Sequence, residues 1–117
     1  MRRTGGYGVT TYFPCPYLNA AVELTDERER HIAERHPDLL PKHRTHIAGT
    51  LADPDQVRLS PRFVNARLFS RWFESVRGGK YVVVVVVGEP APGARHWIVT
   101  AYVTRRLAQG EIEWKRD

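Results

Sequence analysis

Residues 80–104 read KYVVVVVVGEPAPGARHWIVTAYVT and carry the strongest secondary-structure signal in the chain. Branching at Cβ disfavours helix and favours strand, so the six valines Val82–Val87 predict a strand, Lys80–Gly88. The prolines and glycines at 88–93 predict a turn, and His96–Thr104 then predicts the hairpin partner. The valine run is far shorter than the roughly 20 apolar residues of a membrane-spanning helix. Because side chains alternate between the faces of a strand, an unbroken apolar run predicts cover on both faces of the sheet.

The rest of the chain predicts two helices that precede most of the strands. A helix Asp26–Arg35 follows Thr25, a suitable N-cap, and a second helix runs from Pro41 to about Leu51. Further strands are predicted at Ala20–Leu24, Gln56–Ser60, Ala66–Glu74 and Glu111–Lys115. The predicted fold class is therefore α+β, with two N-terminal helices packed on one face of a four- or five-stranded antiparallel β-meander.

The length of 117 residues predicts one domain with a real core. Residues 1–20 mix glycine, proline and aromatic residues without helical period or clean alternation, and they predict an extended or flexible N-terminal arm. The alternative is an arm whose aromatic side chains pack on the domain and cover apolar surface. The domain itself is expected to span residues 21–117.

The composition favours an anionic partner and a reducing compartment. Lysine and arginine number 18 against 13 aspartate and glutamate, for a net charge of +5. Nucleic acid is the usual partner of such a chain, although many basic proteins bind none. Cys15 is the single cysteine, which rules out an intramolecular disulfide and suits the cytoplasm. We expect no membrane partner, because neither a targeting segment nor a transmembrane segment is visible.

Several common catalytic and cofactor motifs have no counterpart in the sequence. There is no Walker-type loop, no GxGxxG after a strand and no GxSxG elbow. His43 and His46 stand three residues apart, but they could bind a metal only with ligands from elsewhere, and no cysteine pair or HExxH helix supports a zinc site. We therefore expect no cofactor and no metal site.

Alternation within two of the predicted strands separates two sets of side chains. In Ala66–Glu74 a basic and aromatic row shares one face, namely Arg67, Phe69, Arg71 and Phe73. In His96–Thr104 the predicted core face holds Trp97, Val99, Ala101 and Val103, and the other face holds His96, Ile98, Thr100, Tyr102 and Thr104. If the basic row and the Thr100 row share a sheet face, that face offers cations, rings and hydroxyls to single-stranded RNA. The alternative is a solvent face on which arginine stems cover valine.

Six segments, in this order, resemble a known group of nucleases. They are LT at 24–25, HI at 31–32, ERHPD at 34–38, LADPDQV at 51–57, GKYVVVV at 79–85 and IVTAY at 98–102. Together they resemble the phage-associated barnase–EndoU–colicin–RelE-like (BECR-fold) nuclease families, over roughly residues 22–114. The resemblance implies N-terminal helices against an antiparallel sheet and a metal-independent ribonuclease of toxin or effector type. Because one fold can host different reactions, the resemblance supports the expected fold better than the expected reaction.

The resemblance also implies site residues and a reaction. The matched polar positions are His31, Arg35, His36, Lys80, Thr100 and Tyr102. The implied reaction is attack of an RNA 2′-OH on the adjacent phosphodiester, with His36 as general base or acid. Arg35 and Lys80 would stabilise the phosphate charge, with Arg71 as a further candidate, while Thr100 and Tyr102 would position the phosphate. The expected nucleic-acid-binding residues are Arg67, Phe69 and Arg71, with Phe69 stacking a base.

The alternative hypothesis is a non-catalytic protein-interaction module on the same fold. Its partner would be an acidic protein, such as an inhibitor or antitoxin, whereas the partner of the nuclease would be RNA. The valine run also predicts self-association as a homodimer or packing of the arm, because an uncovered valine face would be sticky.

Overall fold

The computed structural model describes residues 8–89, 94–107 and 110–117 of the chain. Its elements in chain order are β1 (Thr10–Cys15), a short 3-10 turn (Pro16–Leu18), β2 (Ala20–Thr25), α1 (Asp26–Arg35), α2 (Arg44–Ala52), β3 (Gln56–Leu59), β4 (Ala66–Phe73), β5 (Lys80–Gly88), β6 (His96–Thr104) and β7 (Ile112–Lys115). No helix in the described part of the chain is long and apolar enough to cross a membrane.

The strands of the described residues form one seven-stranded mixed sheet in the order β1-β2-β6-β5-β4-β3-β7. The predicted four- or five-stranded antiparallel meander with two helices on one face is therefore wrong. The hairpin of β1 and β2 adds to the edge of β6, and β2 runs parallel to β6. At the other edge β7 pairs with β3 instead of its chain neighbour β6. Local sequence patterns mark where strands lie, but they carry little information about such distant neighbours.

Residues 10–19 of the predicted N-terminal arm form β1 and the 3-10 turn, and residues 1–7 of that prediction lie outside the described residues. The pattern of β1 is that of an edge strand. Phe13 and Cys15 point into the core, whereas Tyr12 and Pro14 point outward. Proline lacks a backbone N–H and is tolerated in a strand mainly at a sheet edge, which is where Pro14 lies.

Alternate valines of β5 face the main core, which α1 and α2 cover. The buried residues of this core include Ile32 of α1, Ile47 and Leu51 of α2, and Phe69, Val82, Val84 and Val86 of the sheet. Thr25 stabilises the start of α1 as its N-cap, because its Oγ1 accepts a hydrogen bond from the Arg28 N–H at 3.1 Å.

The remaining valines of β5 face a second, smaller cluster on the opposite side of the sheet. Val83 is fully buried there, and Val85 and Leu68 are nearly so. The side chains packed against these three are Tyr81, Val99, Tyr102 and Leu107. Leu107 belongs to the connection that carries the chain from β6 to β7, at the far edge of the sheet. Leu107 therefore helps to cover the second face of the valine strand.

A β-bulge in β6 changes which of its side chains face the core. The pairing of β5 with β6 shifts between Val85 and Val86, where Thr100 and Ile98 are the partners and Val99 is the extra residue. Ile98 and Ala101 consequently both lie in the main core, while Val99 packs with the second cluster. The prediction that Trp97, Val99, Ala101 and Val103 form one core face is therefore wrong, because the bulge interrupts the alternation.

Tyr17, in the turn between β1 and β2, reaches the strand at the opposite edge of the sheet. Its hydroxyl donates to Glu113 Oε1 at 2.6 Å, and its ring contacts Phe69 and Trp114. Arg67 Nε also donates to Glu113, at 2.6 Å. Burial and the Glu113 carboxylate raise the pKa of Tyr17 to about 12, and the hydrogen bond from Arg67 lowers the pKa of Glu113. The first turn and the last strand are thus joined across the core.

Candidate functional site

A cleft of about 440 Å³ lies between α1 and the turn that connects β3 to β4, with β6 between them. Its lining residues are Arg28, His31, Ile32, Arg35, His36, Phe63, Val99 and Thr100. Four of the expected catalytic residues, His31, Arg35, His36 and Thr100, therefore share one cleft.

Helical spacing places three basic side chains of α1 along this cleft. Arg28, His31 and Arg35 stand at positions i, i+3 and i+7, which share one face of a helix. All three side chains are exposed, whereas Ile32 on the same helix is buried in the main core and anchors α1 to the sheet. The shared helix face of Arg28, His31 and Arg35 follows from their spacing in the sequence, but Arg28 was not among the predicted site residues.

His36 enters the cleft because it caps the C-terminus of α1. Its backbone leaves the helical conformation, at φ −131° and ψ 67°, while its N–H still donates to Ile32 O at 2.7 Å. Its own carbonyl accepts from the N–H groups of Leu39 and Leu40, so the residue is held from both sides. On an ideal helix His36 would lie well away from the face of His31. The cap conformation brings both imidazoles to the same cleft.

The lining has no acidic residue and is strongly cationic. It contains two arginines, two histidines and one threonine hydroxyl, without aspartate or glutamate. Neither Arg28 nor Arg35 forms a side-chain ion pair with another described residue. Positive charge that no ion pair among the described residues neutralises, gathered in a concave site, attracts anions such as phosphate.

Thr100 and Tyr102 lie on the side of β6 that faces away from α2. Thr100 pairs with Val85 and Tyr102 pairs with Val83, the two valines of the second cluster. The Tyr102 ring lies 6.1 Å from the His36 ring between centroids, at an angle of 39°. Tyr102 is therefore a neighbour of His36, but it is not one of the residues that line the cleft.

Lys80 lies outside this group. It pairs with Phe73 at the start of β5, and its Nζ donates to the carbonyls of Arg77 and Gly79 at 3.0 and 3.3 Å. It does not line the cleft. Its ammonium group is hydrogen bonded to the turn between β4 and β5, which gives it a structural role.

The predicted nucleic-acid-binding row of β4 faces the main core rather than the cleft. Phe69 is fully buried, so the structure contradicts a role in stacking a base. Arg67 is engaged by Glu113. Arg71 Nη1 donates to Gly49 O at the end of α2, at 3.2 Å, and its guanidinium lies over the Phe73 ring. The side chains of this row therefore pack in the core or form contacts at its edge.

Phe63 forms the wall of the cleft opposite α1, and sequence reasoning did not identify it. It lies in an irregular turn, where no periodicity marks a side chain as functional.

Within residues 8–89, 94–107 and 110–117, no group of three or more histidine, cysteine, aspartate or glutamate side chains could hold a metal ion.

Comparison of the chain with models of protein families, with curated proteins and with solved structures found no match in any of the three.

Proposed function

We propose that this protein is a metal-independent ribonuclease whose cleft holds one phosphodiester of an RNA chain. The observation that carries the proposal is the lining itself, which combines two imidazoles, two arginines and a threonine hydroxyl without a carboxylate. Neither arginine forms an ion pair with another residue in the part of the chain that the structure describes. Imidazole is the side chain best suited to proton transfer near neutral pH, and guanidinium is the side chain best suited to phosphate. The resemblance of the segments at 34–38, 51–57 and 98–102 to BECR-fold nucleases agrees with this function.

The proposed reaction is an internal transfer of the phosphoryl group. One imidazole of the His31 and His36 pair takes the proton of the ribose 2′-OH as its oxygen attacks phosphorus. The other imidazole gives a proton to the 5′-oxygen as the P–O bond to that oxygen breaks. The products are a 2′,3′-cyclic phosphate and a free 5′-hydroxyl. Arg28 and Arg35 stabilise the charge on the phosphate oxygens, and the Thr100 hydroxyl donates a hydrogen bond to one of them.

Removal of an imidazole tests this proposal directly. We expect the protein to cleave mixed-sequence RNA in the presence of EDTA, and His36→Ala and His31→Ala each to reduce the rate about 10²- to 10⁴-fold, the usual contribution of a positioned acid or base. The measurement is product formation by gel, with detection of the cyclic phosphate end.

Arg30 provides the matched control for the arginines. It lies on α1, five residues before Arg35, but lines a different hollow, with Glu29 and Pro41. Arg35→Ala should weaken RNA binding and lower its salt dependence, whereas Arg30→Ala should change both much less. Cleavage that disappears with EDTA and returns with a divalent cation would refute the metal-independent mechanism. Equal effects of the two arginine substitutions would refute the assignment of the phosphate to this cleft.

The second candidate is a non-catalytic module that binds an acidic protein. The same acid-free lining favours it, because arginines that bind phosphate also bind carboxylates. This candidate gains if RNA is neither cleaved nor bound while an acidic peptide binds and Arg35→Ala abolishes that binding.

A cytoplasmic location is part of the ribonuclease proposal, since it provides RNA and a reducing environment. Cys15 fits that environment as a buried free thiol, and burial raises its pKa, which makes the thiol a poor nucleophile.

A further inference from the structure

We infer that Phe63 is a base-stacking residue that restricts the cleft to unpaired nucleotides. The inference rests on the proposed function and adds to it the conformational class of the substrate. It starts from the exposure of Phe63: 56% of this large apolar side chain is accessible while it lines a cationic cleft.

The turn that carries Phe63 is fixed by hydrogen bonds. The Ser60 hydroxyl accepts from the N–H groups of Arg62 and Phe63, each at 3.1 Å, and Ser60 N–H donates to Ala66 O. Asn65 adopts a left-handed conformation, at φ 62°, and its carbonyl accepts from the Gly88 N–H at 3.1 Å. The turn is therefore held both within itself and to the end of β5. A ring presented on such a turn loses little conformational freedom when a ligand stacks on it.

The surroundings of the ring match those of stacking sites for single strands. Such sites combine a cationic groove for the backbone with an aromatic ring for the base. Here Arg28 and Arg35 lie across the cleft from Phe63, and the Arg62 guanidinium lies over its ring at 5.8 Å from the centroid. A phosphate held at the arginines places an adjacent base within the same cleft as the ring.

Stacking on Phe63 requires a base with a free face. In a duplex both faces of a base are already stacked, so presenting one to Phe63 would require unstacking at a cost of a few kcal/mol. Loops, bulges and single strands avoid this cost. The cleft should therefore select unpaired RNA by conformation rather than by the identity of a base.

The test is binding of short oligonucleotides that cannot be cleaved, measured by fluorescence anisotropy in EDTA. The probes are a single-stranded 2′-O-methyl RNA, the same sequence in a duplex, and a backbone of the same length without bases. Wild type should prefer the single strand. Phe63→Ala should weaken single-strand binding about 5- to 150-fold, which corresponds to the loss of about 1–3 kcal/mol for one stacked base.

Three comparisons separate stacking from a merely structural role. Phe63→Trp should bind the single strand at least as tightly as wild type, because a larger ring stacks better. Phe63→Ala should bind the abasic backbone as wild type does. Val64→Ala is the matched control, since Val64 is exposed on the same turn but does not line the cleft, and it should leave all three affinities unchanged.

Equal single-strand affinity of wild type and Phe63→Ala would overturn the inference, and so would an equal loss of abasic and single-strand binding. Failure of wild type to bind the single strand would overturn it as well. If wild type binds with the expected Phe63 dependence but does not cleave natural RNA, the stacking inference stands and the ribonuclease proposal fails.

Discussion

His46 is a histidine whose neutral form the folded protein favours. Its ring contacts the rings of Phe73 and His43 edge to face, and its Nε2 lies 3.2 Å from Ser75 Oγ. Its Nδ1 is buried without a hydrogen-bond partner among the described residues. Burial, with the nearby His43 and Arg71, lowers the pKa of His46 below its ordinary value of 6.5. Protonation of His46 would add positive charge beside the Arg71 guanidinium in this crowded region.

The stability of the fold should therefore fall as the pH drops below about 6.5, the ordinary value for histidine. Because the pKa of His46 is lower in the folded protein, the unfolded chain binds the proton first as the pH falls. The contribution of neutral His46 to the free energy of unfolding is therefore complete above pH 6.5. It is lost as the pH falls through the lowered pKa. His46→Phe keeps the ring contacts and removes the titration. Urea unfolding at pH 7.5 and 5.5 should show that wild type loses more stability between these two pH values than His46→Phe does. The difference should be no more than about 1.4 kcal/mol per pH unit, which is the limit for one proton.

The difference between the two pH dependences reports on the His46 imidazole together with its contact to the His43 ring. An identical pH dependence of wild type and His46→Phe would show that this imidazole does not titrate differently in the folded and unfolded states.

The resemblance to BECR-fold nucleases pointed to His31, Arg35 and His36, and the structure places these three residues at one cleft. Their role there stays a prediction. Phe69 was misassigned because alternation shows which side chains share a face but not which face the helices cover. Lys80 was misassigned because nothing in its sequence neighbourhood shows that the carbonyls of Arg77 and Gly79 accept its hydrogen bonds.

At the scale of elements, α1 is the part of the fold on which the cleft most depends. It carries Arg28, His31 and Arg35, and its first turn is joined by two hydrogen bonds to Val9, the residue before β1. Asp26 N–H donates to Val9 O at 3.2 Å, and Val9 N–H donates to Asp26 Oδ2 at 3.0 Å. The acidic residues Asp26, Glu27 and Glu29 in that turn also complement the positive end of the helix dipole.

Loss of the N-cap should weaken α1 and the whole fold with it. Thr25→Ala removes the hydroxyl that accepts from the Arg28 N–H and should lower the free energy of unfolding by about 1 kcal/mol. Thr25→Ser keeps the hydroxyl and should stay close to wild type in urea or thermal unfolding. If the serine variant is as unstable as the alanine variant, the methyl group of Thr25 matters rather than its cap.

The positions of the elements were more predictable than the faces they present. The valine run, Thr25 and the proline after His36 marked β5 and the two ends of α1 correctly. The bulge at Val99 was not predictable, because the segment IVTAYVT is compatible with uninterrupted alternation. Only its pairing with β5 shows that one residue is extra.

At the scale of the whole molecule, the first and last strands close the core together. β1 buries Phe13 and Cys15, and the turn after it sends Tyr17 to Glu113 and Trp114 of β7. The Arg116 guanidinium adds contacts from the chain end to Asp53 and Asp55. Residues near both ends of the chain therefore contribute to one core.

Phe13→Ala should be strongly destabilising, by about 3 kcal/mol or more, because Phe13 is 6% exposed and its removal leaves a cavity. Tyr12 is its neighbour in the same strand and is 60% exposed, so Tyr12→Ala should change stability by about 0.5 kcal/mol at most. Chemical denaturation of both variants is the measurement. Similar small effects of the two substitutions would mean that β1 is dispensable for the fold.

The topology was the least predictable feature of the molecule. The parallel pairing of β2 with β6 and the antiparallel pairing of β7 with β3 each join segments far apart in sequence. Such pairings depend on side-chain packing across the core, which no local pattern records. The mixture of helices and strands was predictable, because it follows from the spacing and branching of nearby residues.

The cover over the second face of the valine strand has a consequence for biosynthesis. β5 leaves the ribosome before β6 and before Leu107, so Val83 and Val85 emerge when the parts that bury them have not yet been made. A nascent chain at that stage presents a β-prone apolar segment to chaperones and to other chains. Translation that stops after β5 would yield a fragment suited to aggregation, because Val99, Tyr102 and Leu107, which cover Val83 and Val85 in the folded protein, would be missing from it.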